Sequence, residues 1–181
     1  MRDQTFYNLV AAGLALGVVL LVVAWAAVSA SANTSPPSTP PAGPAHMYLT
    51  VQINPLTGWP QFSPANFTVP VGEVVFTIVD YDSPMNWVGC TCNVSGTVGG
   101  TETVNGTSMP AVPSSNVAHT FAIPSLHVNV LSPGMSTVTF TIDLTHGGTF
   151  TWYCQTPCGT NGYTGGPMST PGYMTGTMSV A

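Results

Sequence analysis

The stretch "STVTFTIDLTHGGTFTWYC", residues 136–154, alternates with a period of two. Val138, Phe140, Ile142 and Leu144 are separated by threonine or aspartate, and the pattern resumes as Phe150, Trp152 and Cys154 after the turn "THGG". An apolar residue at every second position marks a strand with one buried face. The same reading extends outward to "MYLTVQI" (47–53), "NFTV" (66–69), "EVVFTIVD" (73–80), "VAHTFAI" (117–123), "HVNVL" (127–131) and "MTGTMSV" (174–180). Gly/Pro turns such as "VPVGE" and "SPGM" separate them. About eight short strands so punctuated predict an all-β sandwich or barrel.

The first part of the chain is different. Leu9 to Val28 is twenty residues without a polar side chain, and at ~1.5 Å per residue this spans roughly the 30 Å of a bilayer core. Residues 1–30 are therefore read as one transmembrane anchor. "SASA" (29–32) would suit a signal peptidase, but signal-peptide apolar regions run only about 7–15 residues. Gly13 and Gly17 form a G-x-x-x-G pair that lets another helix approach. Arg2 is the only Lys or Arg in the chain, so the N-terminus is expected in the cytoplasm and the remainder outside the cell membrane. "SANTSPPSTPPAGPA" (31–45) is a Pro/Ser-rich linker, and residues 46–181 form the extracytoplasmic domain. Four N-x-[ST] sequons, at Asn33, Asn66, Asn93 and Asn105, are glycosylation candidates in such a compartment.

Only 4% of residues are charged, with six acids and one base, where about 25% is usual. An acidic exterior is one physical account, held here as a hypothesis: below about pH 4 carboxylates lose their charge and basic residues lose their partners. The lack of basic patches excludes a nucleic-acid partner. No Ser–His–Asp or paired-carboxylate arrangement supports hydrolysis.

The strand rhythm breaks between residues 83 and 116, a Gly-, Ser- and Thr-rich insertion carrying Cys90 and Cys92. Trp87 and the preceding Tyr81 are either a docking surface or anchors for that loop. Near the end, Cys154 enters the interior and Cys158 follows beyond a short turn. His119 shares a strand face with Phe121, and Met174 leads the last strand. Thiolate, imidazole and thioether together suit copper.

On these segments the chain resembles subunit II of haem–copper terminal oxidases, and in particular archaeal-like members with one membrane helix. The residues that carry the resemblance are "NFTVPVGEVVFTIVD", "AHTFAIPSLHVNVLSPGMSTVTFTIDLTHGGTFTWYCQTPCG" and "YMTGTMSV". It implies a Greek-key cupredoxin domain with a copper site, dinuclear in the family's manner, held by His119, Cys154, the Thr156 carbonyl, Cys158 and Met174. It also implies an external electron donor and a haem-bearing catalytic subunit as partners. The ligand set is incomplete: the family's second histidine falls here on Gly162 or Pro171, depending on the direction of counting, and no histidine follows His146.

Three readings stay open. Copper is retained with a substitute ligand (His46, His127, His146, Met168 or an insertion cysteine); or copper is lost, as in quinol-oxidising relatives, and the cysteines form disulfides; or four sulfurs bind another metal such as zinc. For the second, pairing of Cys90 and Cys92 with Cys154 and Cys158 is expected, because a C-x-C bridge is strained. The copper-free chain would be a stapled structural subunit of a quinol oxidase. A free-standing tethered electron carrier and an extracellular interaction module are the further alternatives.

Overall fold

The computed structural model describes residues 43–90, 92–158 and 165–181. The expected anchor, linker residues 31–42 and Asn33 lie outside the described residues, and among the described ones no helix is long and apolar enough to cross a membrane. Ala45, assigned to the linker from sequence, already belongs to the first strand.

The described residues form eleven strands: β1 (Ala45–Ile53), β2 (Pro60–Ser63), β3 (Asn66–Val69), β4 (Gly72–Asp80), β5 (Glu102–Val104), β6 (Thr107–Met109), β7 (Val117–Ile123), β8 (Val128–Pro133), β9 (Ser136–Leu144), β10 (Gly148–Tyr153) and β11 (Thr175–Val180). They form a six-stranded sheet, β2-β1-β4-β9-β5-β6, and a five-stranded sheet, β3-β11-β10-β7-β8. β1 runs parallel to β4 and β3 parallel to β11, while the other pairs are antiparallel.

The alternation of residues 136–144 fixes the centre of the larger sheet. The β4–β9 register sets Val74 opposite Ile142, Phe76 opposite Phe140 and Ile78 opposite Val138, all six of them buried. Phe76 and Phe140 stack with ring centroids 5.2 Å apart. Across the core, Trp152 of β10 meets Phe62 of β2 edge-on at 4.9 Å and Phe121 of β7 at 5.4 Å. Each such side chain contributes roughly 1.5–3 kcal/mol by leaving water, and the aromatic pairing adds specificity of shape. The Trp152 indole N–H donates to the Ala65 carbonyl at 2.8 Å, so its polar end is satisfied.

Three strands go beyond the sequence reading. β2 begins on a proline, which obscures a strand signal. β5 and β6 lie in the 83–116 insertion, which is folded. The Asn105-Gly106 pair makes their tight turn, with Asn105 at φ 48° and Gly106 at φ 86°, and Asn-Gly is a strong hairpin signal. β5 extends the larger sheet by pairing Thr103 with Thr139 and Val104 with Val138. Cys92, Val94 and Val112 of the insertion form a second buried cluster with Val117 and Leu131. Half-buried Trp87 packs against that cluster, so it anchors the insertion, whereas Tyr81 is 59% exposed.

The insertion is also fastened to β8. Ser95 and Asn129 form a bridge, and the Glu102 carboxylate accepts the Leu131 N–H at 2.9 Å. Glu102 is 1% exposed and its other oxygen has no partner. Burial outweighs the amide hydrogen bond and pushes its pKa up to about 8.

Candidate metal centre

The site lies where the smaller sheet opens. β10 and β7 pair only at Tyr153 and Ala122. Beyond that point β10 leaves the ladder and side chains replace the backbone bonds. The Thr120 hydroxyl accepts the Gln155 N–H at 2.6 Å, and the Thr120 N–H points at Cys154 Sγ at 3.4 Å. The gap is filled by His119, Cys154 and Cys158, three buried residues whose donor atoms all lie within 4.8 Å of one another. His119 Nδ1 is 3.0 Å from Cys158 Sγ, and the two sulfurs are 3.4 Å apart.

The surroundings hold this arrangement. Phe62 meets the imidazole edge-on at 6.3 Å. The outer nitrogen, Nε2, is 3.1 Å from Asp82 Oδ2. Asp82 is held in turn by its own N–H, which donates to Asp80 Oδ1 at 2.9 Å, while Asp80 Oδ2 accepts the Ser132 hydroxyl at 2.7 Å. Imidazole ligands of metals commonly have such a carboxylate behind them, because it fixes the ring's tautomer and orientation. Sequence reasoning missed Asp80 and Asp82. Two acids one residue apart, at the end of a buried strand and in a chain with six acids, were the available signal.

The electrostatics follow from this packing. Burial works against a charged His119, but the Asp82 hydrogen bond and the Cys154 sulfur outweigh it and raise its pKa to about 10. Asp82 is held below the ordinary carboxylate value, chiefly by its hydrogen bond to His119. Burial raises Asp80 to about 6. Burial also disfavours a charged Cys154, yet hydrogen bonds from Cys158, His119 and the Thr120 amide bring it well below an ordinary thiol. Cys158 is pushed up by its hydrogen bond to Cys154 and by burial. The packing thus favours the thiolate at Cys154 over that at Cys158.

The other candidate residues fall as follows. Thr156 is fully buried; its carbonyl lies 3.7 Å from Cys154 Sγ and accepts the Cys158 N–H at 2.8 Å, and its hydroxyl has no partner. Met174 is fully buried in the same core cluster as both cysteines, and its carbonyl accepts the Cys154 N–H at 2.8 Å. It immediately precedes β11 instead of opening it.

The proposed substitute histidines are elsewhere. His127 is exposed at a left-handed position beyond the β7–β8 turn. Since β7 and β8 pair Ile123 with Val128 and His119 with Ser132, it sits roughly 16 Å along the hairpin from His119 at ~3.3 Å per residue. His146 is exposed in the β9–β10 turn, at the opposite end of β10 from Cys154. His46 is exposed on β1 and stacks on Tyr48. Met168 is half-buried and lines an opening beside Cys154.

The expected bridges between the insertion and the chain's end are corrected. Cys90 and Cys92 are joined to each other, with Cα atoms 5.1 Å apart, and Cys154 and Cys158 carry no bridge. The reason is packing: Cys92 belongs to the insertion's own cluster, whereas Cys154 and Cys158 belong to the main core. This separation also removes the four-sulfur zinc reading. Of the described sequons, Asn66, Asn93 and Asn105 are all exposed.

Soft-metal chemistry suits the donor set, with one imidazole and two thiols converging among buried side chains. The buried, unpartnered Thr156 hydroxyl beside them is a further polar atom that the protein itself leaves unsatisfied.

No family model and no curated protein matches the chain. Among solved structures it is similar to a haem–copper terminal oxidase dimer, at 15% identity and TM-score 0.40, covering 93% of this chain and 97% of that one. It is also similar to auracyanin B (13% identity, TM-score 0.39, 79% and 93% covered) and to amicyanin in a reduced Cu(I) form (12% identity, TM-score 0.34, 78% and 87% covered). Likeness at this level leaves the geometry of His119, Cys154 and Cys158 as the ground for a functional reading.

Proposed function

We propose that the chain is a membrane-anchored cupredoxin that acts as the subunit II-like component of a respiratory haem–copper terminal oxidase. In this role it accepts electrons from an external donor and relays them to a haem-bearing catalytic subunit. The single observation that carries the reading is the convergence of His119 Nδ1 and the Cys154 and Cys158 sulfurs within 4.8 Å, in a buried gap of a two-sheet domain. His119, Cys154 and Cys158 would hold copper, with the Thr156 carbonyl and Met174 as weaker contacts. Bound there, copper supplies one-electron transfer. The chain orients the imidazole through Asp82, packs Phe62 and Trp152 around the site, and favours a thiolate at Cys154 through Cys158, His119 and the Thr120 amide. One histidine where the family has two favours a single soft ion over a copper pair.

The test is metal analysis and visible absorption of the purified full chain with and without added copper, together with co-purification. Stoichiometric copper and a co-purifying haem protein support the whole reading. Copper without a haem partner leaves a free-standing tethered carrier. Two free thiols without metal affinity support the second reading, a copper-free structural subunit, which the missing histidine favours.

A further inference from the structure

A cavity of about 480 Å³ opens beside the metal centre, lined by Tyr153, Cys154, Gln155, Met168 and Thr175. Cys154, 1% exposed, is the only member of the His119, Cys154 and Cys158 group among those lining residues. The other sides of the group are occupied. Asp82 caps the His119 Nε2, Phe62 packs on its ring, and Cys158 backs onto the Ala118 carbonyl at 3.9 Å.

The lining carries a second soft donor. Met168 ends a 3₁₀ turn, Gly166–Met168, whose position is tied to Cys154 by backbone bonds. The Pro167 carbonyl accepts the Met174 N–H at 3.2 Å, and the Met174 carbonyl accepts the Cys154 N–H at 2.8 Å. The turn is closed by Ser169 and Thr170, which both donate to the Gly166 carbonyl, at 3.3 Å from the Ser169 amide and 2.8 Å from the Thr170 hydroxyl. A half-buried flexible thioether and a buried thiol thus line the same opening. Among the described residues no lining side chain is charged, which suits a small monovalent ion better than a phosphate or a carboxylate ligand.

We propose that this opening is a loading port for a soft monovalent metal ion such as Cu⁺ or Ag⁺, with the Met168 thioether as its first and transient ligand. This rests on the metal-centre reading above. The transfer is a ligand exchange without redox change. The ion binds the Met168 sulfur, a sulfur–metal bond to Cys154 forms as the Met168 bond breaks, and any proton displaced from the paired thiols leaves through the opening, so charge balances. Thioethers bind soft ions weakly enough to release them, whereas thiolates retain them.

The experiment compares the wild-type full chain with Met168→Leu, which preserves apolar volume, and with Cys154→Ser. Cu⁺ is supplied as its acetonitrile complex under reducing conditions. Stopped-flow absorption of the sulfur-to-metal band gives the loading rate, a competition titration gives stoichiometry and affinity, and thermal unfolding checks the fold. Expected for Met168→Leu is about tenfold slower loading, the change that about 1.4 kcal/mol on a barrier produces, with affinity and stoichiometry unchanged. An unchanged rate would mean that Met168 is core packing and would overturn the port. Loss of affinity would make it a resident ligand and overturn it equally. Failure of the wild type to take up the ion would sink the metal centre itself, an outcome visible without the variant.

Discussion

Replacing Glu102 by Gln isolates the effect of one buried carboxyl on stability. In the folded chain its pKa is raised from the ordinary 4.5 to about 8, so the native state keeps a proton that the unfolded state releases. The sign follows directly. Below about pH 4.5 both states are protonated and burial of the acid carries no charge penalty. As pH rises from 4.5 towards 8 the unfolded state gains by ionising, and native stability falls by ~1.36 kcal/mol per pH unit. Across the whole window this amounts to a ceiling of about 5 kcal/mol, comparable to the lower end of a domain's stability, about 5–15 kcal/mol.

Gln keeps the oxygen that accepts the Leu131 N–H and cannot ionise. The two proteins are therefore expected to match near pH 4.5, with the variant ahead by several kcal/mol at pH 8. Urea unfolding of both full chains in detergent at half-unit steps from pH 4.5 to 8.5 measures this. His119 and Asp80 also change stability with pH: His119 stabilises below its unfolded 6.5 and loses that contribution towards 10, and Asp80 loses stability between 3.8 and 6. Both contributions are shared by the two proteins and cancel in the difference. A difference that stays flat with pH would refute the reasoning.

Denatured under non-reducing conditions, the chain should show two reactive thiols by colorimetric titration, because Cys90 and Cys92 are bridged and Cys154 and Cys158 are not; four or none would contradict the pairing. Cys154→Ser should abolish stoichiometric uptake of a soft metal while leaving the circular dichroism of the sheets intact, and retained uptake would remove the cysteine from the site. Gly96→Ala should destabilise the chain by about 1–3 kcal/mol, since Gly96 sits at φ +70° and an added Cβ would lie 2.7 Å from the His127 carbonyl oxygen. Thermal unfolding checks this, and an unchanged midpoint would mean the insertion is not seated on the β7–β8 turn as described.

The parts of the fold that sequence reveals are those set by local alternation. β3, β7 and β9 have the bounds expected from sequence; in β9 the alternation places apolar side chains on the buried face, whereas β7 is buried on both faces. The interior direction of Cys154 follows from the same parity as Trp152. β5 and β6 are hidden because "ETV" and "TSM" are too short to show a period, and only the Asn-Gly turn betrays them. The cysteine pairing is hidden for a different reason. It depends on which cluster each sulfur joins, and the second cluster exists only after Leu131 and Val117 have been brought beneath the insertion. The Asp82–His119 contact spans 37 residues of sequence, a separation that no local pattern encodes.

The bond between Glu102 and Leu131 and the Ser95–Asn129 bridge have a consequence for how the molecule coexists with its own copies. β8 is an outer strand of the smaller sheet, and an uncovered outer strand invites another chain to add to it. Proteins usually discourage this with lysines and other charges, a remedy closed to a sequence with one basic residue. Here a folded strap obstructs the strand, shielding it mechanically where electrostatic repulsion is lacking.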